Sequence, residues 1–312
     1  MNNKILPSAA LPYAKAICYS GYRDGQSPET DELPSYEEVK QDLLILKGEW
    51  QSLRLYASDA HSEMVLNVID KEGMPFDVML GAYIIAELSN PECPWGAEYS
   101  AEQLQENKEH NQAEITKLIK LANTYKDIVS SVSIGNEASV SWTDHLVPTE
   151  SLVDYAKQLK SSVIQPVTFC ENYVPWLDKL KPLVDEIDFI SIHTYPVWEY
   201  KSIQEGLAYT IENYNAVAQA HPGVQIVITE AGWATNSNGL GIDADKVNEV
   251  YQKQYYQQLM DWAEQEQVLV YFFEAFDESW KGSCDPLEPE KHWGLYKTDR
   301  SPKLVMNQNA QR

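Results

Sequence analysis

Short apolar runs rich in β-branched residues recur eight times along this chain, each separated from the next by a longer amphipathic stretch, and this alternation restricts the fold more than any other feature. The strand-like runs lie at 15–19, 52–56, 76–82, 129–134, 166–169, 188–192, 225–229 and 268–273. Helix-like stretches fall at 35–46, 61–71, 111–125, 149–163, 174–184, 202–220 and 244–266. The first of them opens with Ser35 and carries Glu38 three residues on, the pattern of a capping box, and the fourth opens on Thr149. Strands joined by crossover helices pair in parallel, so the series predicts a parallel sheet covered by helices. Eight such units closing on themselves make the (β/α)8 TIM barrel. An open doubly wound sheet competes, but no GxGxxG follows the first run and no GxxxxGK[ST] occurs. No Gly/Ser linker, charge block or repeat breaks the series, so residues 1–312 are read as one α/β domain. Residues 1–12 form an N-terminal extension, a candidate for disorder, and 297–312 a C-terminal tail.

The 312 residues carry 47 acidic against 24 basic side chains, a formal net charge of −23. Nucleic-acid binding draws its energy from clustered Lys and Arg, and anionic membranes need the same clusters, so both partners are disfavoured. The acidic surplus reads as a solvated surface compatible with a neutral substrate. Hydrophobic residues at 44% suffice for a core. Cys18, Cys93, Cys170 and Cys284 are scattered, with no CxxC pair and no His at metal-ligand spacing, so neither a zinc site nor a disulfide scaffold is expected. No metal and no cofactor are called for. The most apolar stretch, 76–88, is too short to span a bilayer and contains Asp77. Residues 1–7 lack the apolar segment of a signal peptide. The protein is therefore expected in the cytoplasm, unless a targeting segment lies outside this sequence and it is secreted, periplasmic or surface-attached.

In such a barrel the chemistry belongs to residues just after each strand, because the loops at the C-terminal face build the site. Two of those positions carry single carboxylates: Glu137 after the fourth run and Glu230 after the seventh, 93 residues later. A Glu in that place can cap a helix or pair with an Arg. Two brought to one rim suit retaining glycoside hydrolysis, in which one carboxyl gives its proton to the leaving oxygen while the other attacks the anomeric carbon from about 5–5.5 Å away. Asn136, directly before Glu137, suits a hydrogen bond to the sugar 2-hydroxyl.

The residues resemble glycoside hydrolase family 17, the β-1,3-glucanases and related β-1,3-glucanosyltransferases, and in particular its short bacterial members that act on laminarin. The resemblance covers almost the whole chain. It rests on Ile17-Cys18-Tyr19-Ser20-Gly21, Arg54-Leu55-Tyr56, Ile134-Gly135-Asn136-Glu137, Thr229-Glu230-Ala231-Gly232-Trp233 and the run from Phe273 to Lys281, followed by His292-Trp293-Gly294-Leu295-Tyr296. It implies a polysaccharide-degrading hydrolase with Glu137 as acid/base and Glu230 as nucleophile. It also implies a charged cluster of Glu278, Lys281 and Glu290 around the pair, and an Arg, here Arg54, close to the nucleophile.

Sugar rings present C–H faces that stack on aromatic side chains, and nine Trp and 19 Tyr supply them. Tyr19, Tyr56, Tyr195, Trp233 and Phe276 fall at strand ends, where core packing is the competing reading; the resemblance places Tyr195 and Trp233 in the subsites nearest cleavage. Trp95, Trp142, Trp198 and Trp280 lie in loops and are expected to serve as platforms further along the groove. Glu171, after the fifth strand, is either a ligand for a sugar hydroxyl or a surface residue. His193 reads as a buried structural histidine, since no GxSxG nucleophile motif accompanies it. The expected activity is hydrolysis of β-1,3-glucan by a monomer; a glucanosyltransferase using the same carboxylates, or a carbohydrate-binding barrel without catalysis, are the alternatives.

Overall fold

The computed structural model describes residues 11–30 and 32–307. Eight parallel strands pair in sequence order, and β1 (Lys15–Cys18) meets β8 (Val270–Phe273) to close the barrel. Between them run β2 (Ser52–Leu55), β3 (Asp77–Gly81), β4 (Val129–Asn136), β5 (Val167–Asn172), β6 (Ile190–His193) and β7 (Ile226–Gly232). The helices are α1 (Tyr36–Leu46), α2 (Ala60–Glu72), α3 (Ala101–Thr124), α4 (Thr149–Lys160), the short α5 (Tyr173–Leu177) and α6 (Lys181–Val184), α7 (Ile203–Ala220) and α8 (Glu249–Glu266). No helix among the described residues is long and apolar enough to cross a membrane. All four cysteines are free thiols.

Local chemistry explains the elements and the departures from expectation. Ser35 and Glu38 form the capping box of α1, with Glu38 Oε2 accepting the Ser35 amide at 2.8 Å. Helix α3 begins ten residues before the apolar periodicity does. Its first turns are polar, and Ser100 with Gln103 starts it by a capping box. Thr149 is the first helical residue of α4 and not its cap, a place taken by Pro148. The stretch expected as one helix at 174–184 is two, because Pro182 has no N–H to give to the carbonyl four residues back.

The barrel interior holds small polar side chains that bond to one another. Thr168 Oγ1 donates to Ser191 Oγ at 2.9 Å, and Ser52 Oγ lies 3.0 Å from Tyr271 Oη. Outside the strands, Leu43, Val65, Leu66, Ile115, Leu118, Leu152 and Leu259 bury helix faces against the sheet. Of the expected N-terminal extension, only residues 11 and 12 lie among the described residues. The described part of the tail, 297–307, docks onto the barrel. Arg300 gives Nε to Asp42 Oδ1 at 2.8 Å and Nη2 to Asp42 Oδ2 at 2.7 Å, and Lys303 Nζ reaches Asp277 Oδ1 at 2.7 Å. Asp42 also accepts from Arg23 Nη2 at 2.9 Å and from Tyr19 Oη at 3.3 Å.

Candidate active site

A cavity of about 950 Å³ opens among the loops that follow the strands. Glu137, Glu230, Tyr19, Tyr56, Asn136, Tyr195, Trp198, Lys281 and Glu290 all line it, together with Trp95, Trp142 and Trp280. Glu137 follows the last residue of β4 with a left-handed backbone (φ 44°), and its amide donates to Cys170 O at 2.9 Å. This conformation carries the half-buried carboxyl over the mouth of the barrel.

Glu230, on β7, is buried, and both of its oxygens are occupied. Arg54 Nη1 pairs with Oε1, and Tyr195 Oη donates to Oε2 at 2.5 Å. Arg54 Nη2 continues to Asn136 Oδ1, so one guanidinium ties the carboxylate of β7 to the strand that carries Glu137. His193 stands between the two acids, with Nδ1 2.9 Å from Glu137 Oε1 and 3.5 Å from Glu230 Oε2. Carboxylate oxygens of Glu137 and Glu230 and a ring nitrogen of His193 all fall within 4.8 Å of one another. Such a trio has the donor types for a metal ion, but a cation here would have to displace Arg54 and Tyr195 from Glu230.

The electrostatics favour the charged form of Glu230. Burial alone would push the Glu230 carboxyl up; the facing charges of His193 and Arg54, with hydrogen bonds from Tyr195 and Arg54, outweigh it and bring the pKa down to about 2. Burial works against the His193 cation, but Glu230, the Cys170 side chain and Glu137 raise its pKa to about 10. Beside the pair, Lys281 Nζ bridges Glu274 Oε2 at 2.7 Å and Glu278 Oε2 at 2.8 Å. Glu290 faces the cavity; burial, with the nearby charges of Glu137 and Glu230 and against that of Lys281, lifts its pKa to about 7.

Five expected substrate contacts do not line the cavity: Trp233, Phe276, Glu278, Glu171 and Arg54. The Trp233 ring is fully buried, 5.3 Å from Tyr255, and its Nε1 donates to Lys246 O, away from the cavity. Trp293 lies against the cavity instead, its ring 5.0 Å from Tyr195 and 5.8 Å from Phe273, and Gly232 lets the β8 backbone approach, since a Cβ there would stand 2.1 Å from Phe273 O. Phe276 is buried between Tyr19 and Tyr296 beneath the Arg300 guanidinium. Glu278 is buried against Lys281.

Glu171 is neither on the surface nor in the cavity. It is fully buried and accepts the Ser139 amide at 2.8 Å and the Asn172 amide at 2.7 Å, clamping the turn that presents Glu137. Burial and the nearby Glu137 raise its pKa to about 8. Arg54 lies beneath the cavity floor and touches both Glu230 and Asn136. His193 is buried as expected, but it belongs to the carboxylate pair. Its position at the end of β6, opposite Glu230 in the strand register, is the signal that could have placed it there.

A family model described as the BtgE/BtgC glycoside hydrolase domain matches residues 16–294. Among curated relatives, a glucan 1,3-beta-glucosidase of Arthroderma benhamiae is 21% identical over 95% of this chain and 94% of its own length. A putative glucan endo-1,3-beta-glucosidase of Aspergillus niger is 24% identical over 86% of this chain, which spans only 40% of that protein. Among solved structures, an endo-laminarinase from Formosa superposes with a TM-score of 0.81 at 25% identity, covering 94% of this chain and 85% of that one. A glycoside hydrolase family 17 beta-1,3-glucanosyltransferase from Rhizomucor miehei superposes with a TM-score of 0.71 at 22% identity, over 93% and 95% of the two chains.

Proposed function

Because the chain belongs to the BtgE/BtgC glycoside hydrolase domain family, we propose that it hydrolyses β-1,3-glucosidic bonds of laminarin-type glucan with retention, Glu137 acting as acid/base and Glu230 as nucleophile. The observation that carries this reading is the spacing of the two carboxyls, whose oxygens approach within 4.8 Å. Inverting enzymes need room for a water, about 6.5–9.5 Å, whereas direct attack on the anomeric carbon needs the shorter gap.

In the first step a Glu230 oxygen bonds to the anomeric carbon from one face as the bond to the leaving oxygen breaks and Glu137 delivers its proton to that oxygen. Arg54 and Tyr195 keep Glu230 ionised until it attacks, and His193 orients the Glu137 carboxyl through its Nδ1. In the second step Glu137 takes a proton from water, the water oxygen bonds to the same carbon, and Glu230 leaves. Asn136, held by Arg54, is the candidate partner for the sugar 2-hydroxyl.

The test pairs two variants with one external nucleophile. Glu230→Ala should lose hydrolysis and regain turnover with azide, giving a glycosyl azide of inverted configuration. Glu137→Ala should keep more activity on an activated aryl glycoside than on glucan, and azide there should give the opposite anomer. The reversed pattern would exchange the two roles, and inversion by the unmutated enzyme would overturn the mechanism.

A further inference from the structure

We infer that Cys170 is a positioning residue of the reaction: its sulfur accepts a hydrogen bond from Nε2 of His193 and, through that ring, fixes the carboxyl of Glu137. This rests on the assignment of Glu137 as acid/base above. Nδ1 of His193 is committed to the carboxylates, 2.9 Å from Glu137 Oε1 and 3.5 Å from Glu230 Oε2. Nε2, on the other side of the ring, is buried without an oxygen or nitrogen partner. A buried N–H left without an acceptor is costly and rare. The group left to satisfy it is the fully buried Cys170, whose side chain hydrogen-bonds that of His193.

Strand geometry puts the two together. Thr168 of β5 and Ser191 of β6 meet inside the barrel, Oγ1 to Oγ at 2.9 Å. Cys170 and His193 stand two residues further along the same strands, and the register between the strands runs unbroken from Cys170 to Asn172. Residues two apart on a strand share a face, so the thiol and the imidazole repeat the Thr168–Ser191 relationship one layer nearer the mouth. The backbone of Cys170 serves the same residue, since the amide of Glu137 donates to Cys170 O at 2.9 Å. Its own amide donates to Ser133 Oγ at 3.2 Å. Cys170 thus holds Glu137 twice, by its carbonyl and by the ring that its sulfur carries.

The surroundings suit an acceptor sulfur. The titratable groups facing it are Arg54 of β2, His193 of β6 and Tyr271 of β8, beside the Ser133 hydroxyl of β4. His193 in turn faces Glu230, Glu137 and Glu171. Burial opposes a thiolate at Cys170, but the Arg54 charge, the hydrogen bond and charge of His193 and the Ser133 hydroxyl outweigh it and bring the thiol down to about 7. Cys18, the other interior thiol near Arg54, behaves differently: burial pushes it up to about 12, and its Sγ donates to Thr229 O at 3.3 Å. Two cations, Arg54 and His193, stand beneath the cavity against one ionised nucleophile. A thiolate at Cys170 supplies the second anion, and buried charges need such partners.

The experiment compares Cys170→Ala and Cys170→Ser with the unmutated enzyme in kcat/KM on laminari-oligosaccharides and on an aryl glucoside with an activated leaving group. Cleavage of the glucan needs the proton of Glu137, whereas expulsion of the activated aryl group needs little. Cys170→Ala should lose roughly tenfold or more on glucan but at most a few-fold on the aryl glucoside, and Cys170→Ser, whose hydroxyl also accepts from Nε2, should recover most of the loss. Equal losses on both substrates, or no loss on either, would overturn the positioning role while leaving Glu137 as acid/base. Nitrogen NMR of the unmutated enzyme with isotope-labelled histidine reads the hydrogen bond itself. At pH 6 the His193 Nε2 signal, identified by its absence from His193→Gln, should be that of a protonated nitrogen and should shift in Cys170→Ser. An unprotonated Nε2 would overturn the inference whatever the kinetics. An unmutated enzyme that cuts no β-1,3-glucan would remove the glucanase reading, and with it the role in the reaction, while the nitrogen signal would still report the contact.

Discussion

Arg54 and Glu230 meet across the barrel, Nη1 against Oε1, although they come from strands β2 and β7 and are both buried. The guanidinium holds its charge at any pH the protein survives, so the carboxylate it faces is fixed in the ionised state that nucleophilic attack requires. Arg54→Met should therefore move the acid limb of kcat/KM to higher pH, because Glu230 loses one of the charges that bring it to about 2. A limb that stays in place would show that His193 and Tyr195 set it without Arg54.

Glu137→Gln and Glu230→Gln should each reduce laminarin hydrolysis by roughly 10²–10⁴-fold or more, with circular dichroism and melting behaviour of a folded barrel. Initial rates by reducing-sugar assay decide it. Either variant within tenfold of the unmutated enzyme contradicts the assignment.

His193 links the pair to stability at alkaline pH. Its folded pKa of about 10 lies above the ordinary histidine value, so the stabilisation is fully present below about 6.5 and fades as pH rises through 10. His193→Gln should thus be destabilised relative to the unmutated protein at pH 6, and the gap should narrow at pH 10.5. Urea unfolding at the two pH values measures it, and a gap of constant size would mean that His193 is neutral throughout.

Glu171 works in the opposite sense. An acid raised to about 8 holds its proton in the folded state while the unfolded chain has lost it, so stability falls as pH rises between about 4.3 and 8. Glu171→Gln removes that dependence. It also sets an amide NH2 against one of the two backbone N–H groups, a cost of about 1–3 kcal/mol that should reach Glu137 through the Ser139 turn. The readouts are denaturation at pH 5 and 8 and the basic limb of kcat/KM; an unchanged pH slope of stability would show the carboxyl is already charged in the fold.

Arg300→Met leaves Asp42 buried with Arg23 as its remaining cation, and breaking such a pair costs about 3–5 kcal/mol. Because Tyr19 donates to the same carboxylate and lines the cavity, KM should rise as well. Denaturant midpoints and oligosaccharide kinetics check both effects.

The barrel was legible because each strand holds a short apolar run, and the five from β4 to β8 open on Val or Ile. Their far ends were harder to see. β4, β5 and β7 run on through Asn136, Asn172 and Gly232, where the residues that serve the site break the hydrophobic run. The start of α3 was invisible for a different reason: residues 101–110 hold only Ala101 and Leu104 as apolar side chains, too few for a periodicity, and only the capping box marks them. The carboxylates were readable because position after a strand determines which rim a residue reaches. The direction of a side chain beyond a strand end is set by tertiary packing, so Trp233 and Phe276 were placed in the groove although they fill the core. Trp293 entered the cavity without any signal of strand position, because the loop after β8 folds back over the rim.

Asp42 and Arg300 are separated by 258 positions along the chain. During synthesis the rim that holds Tyr19 therefore stays unbraced until almost every strand and helix has been made. A chain halted before residue 300 keeps all eight strands but lacks one of the two cations that face Asp42, leaving Arg23 alone beside it. A prematurely stopped chain should therefore share the weaker substrate binding expected of Arg300→Met and fall short of the finished protein.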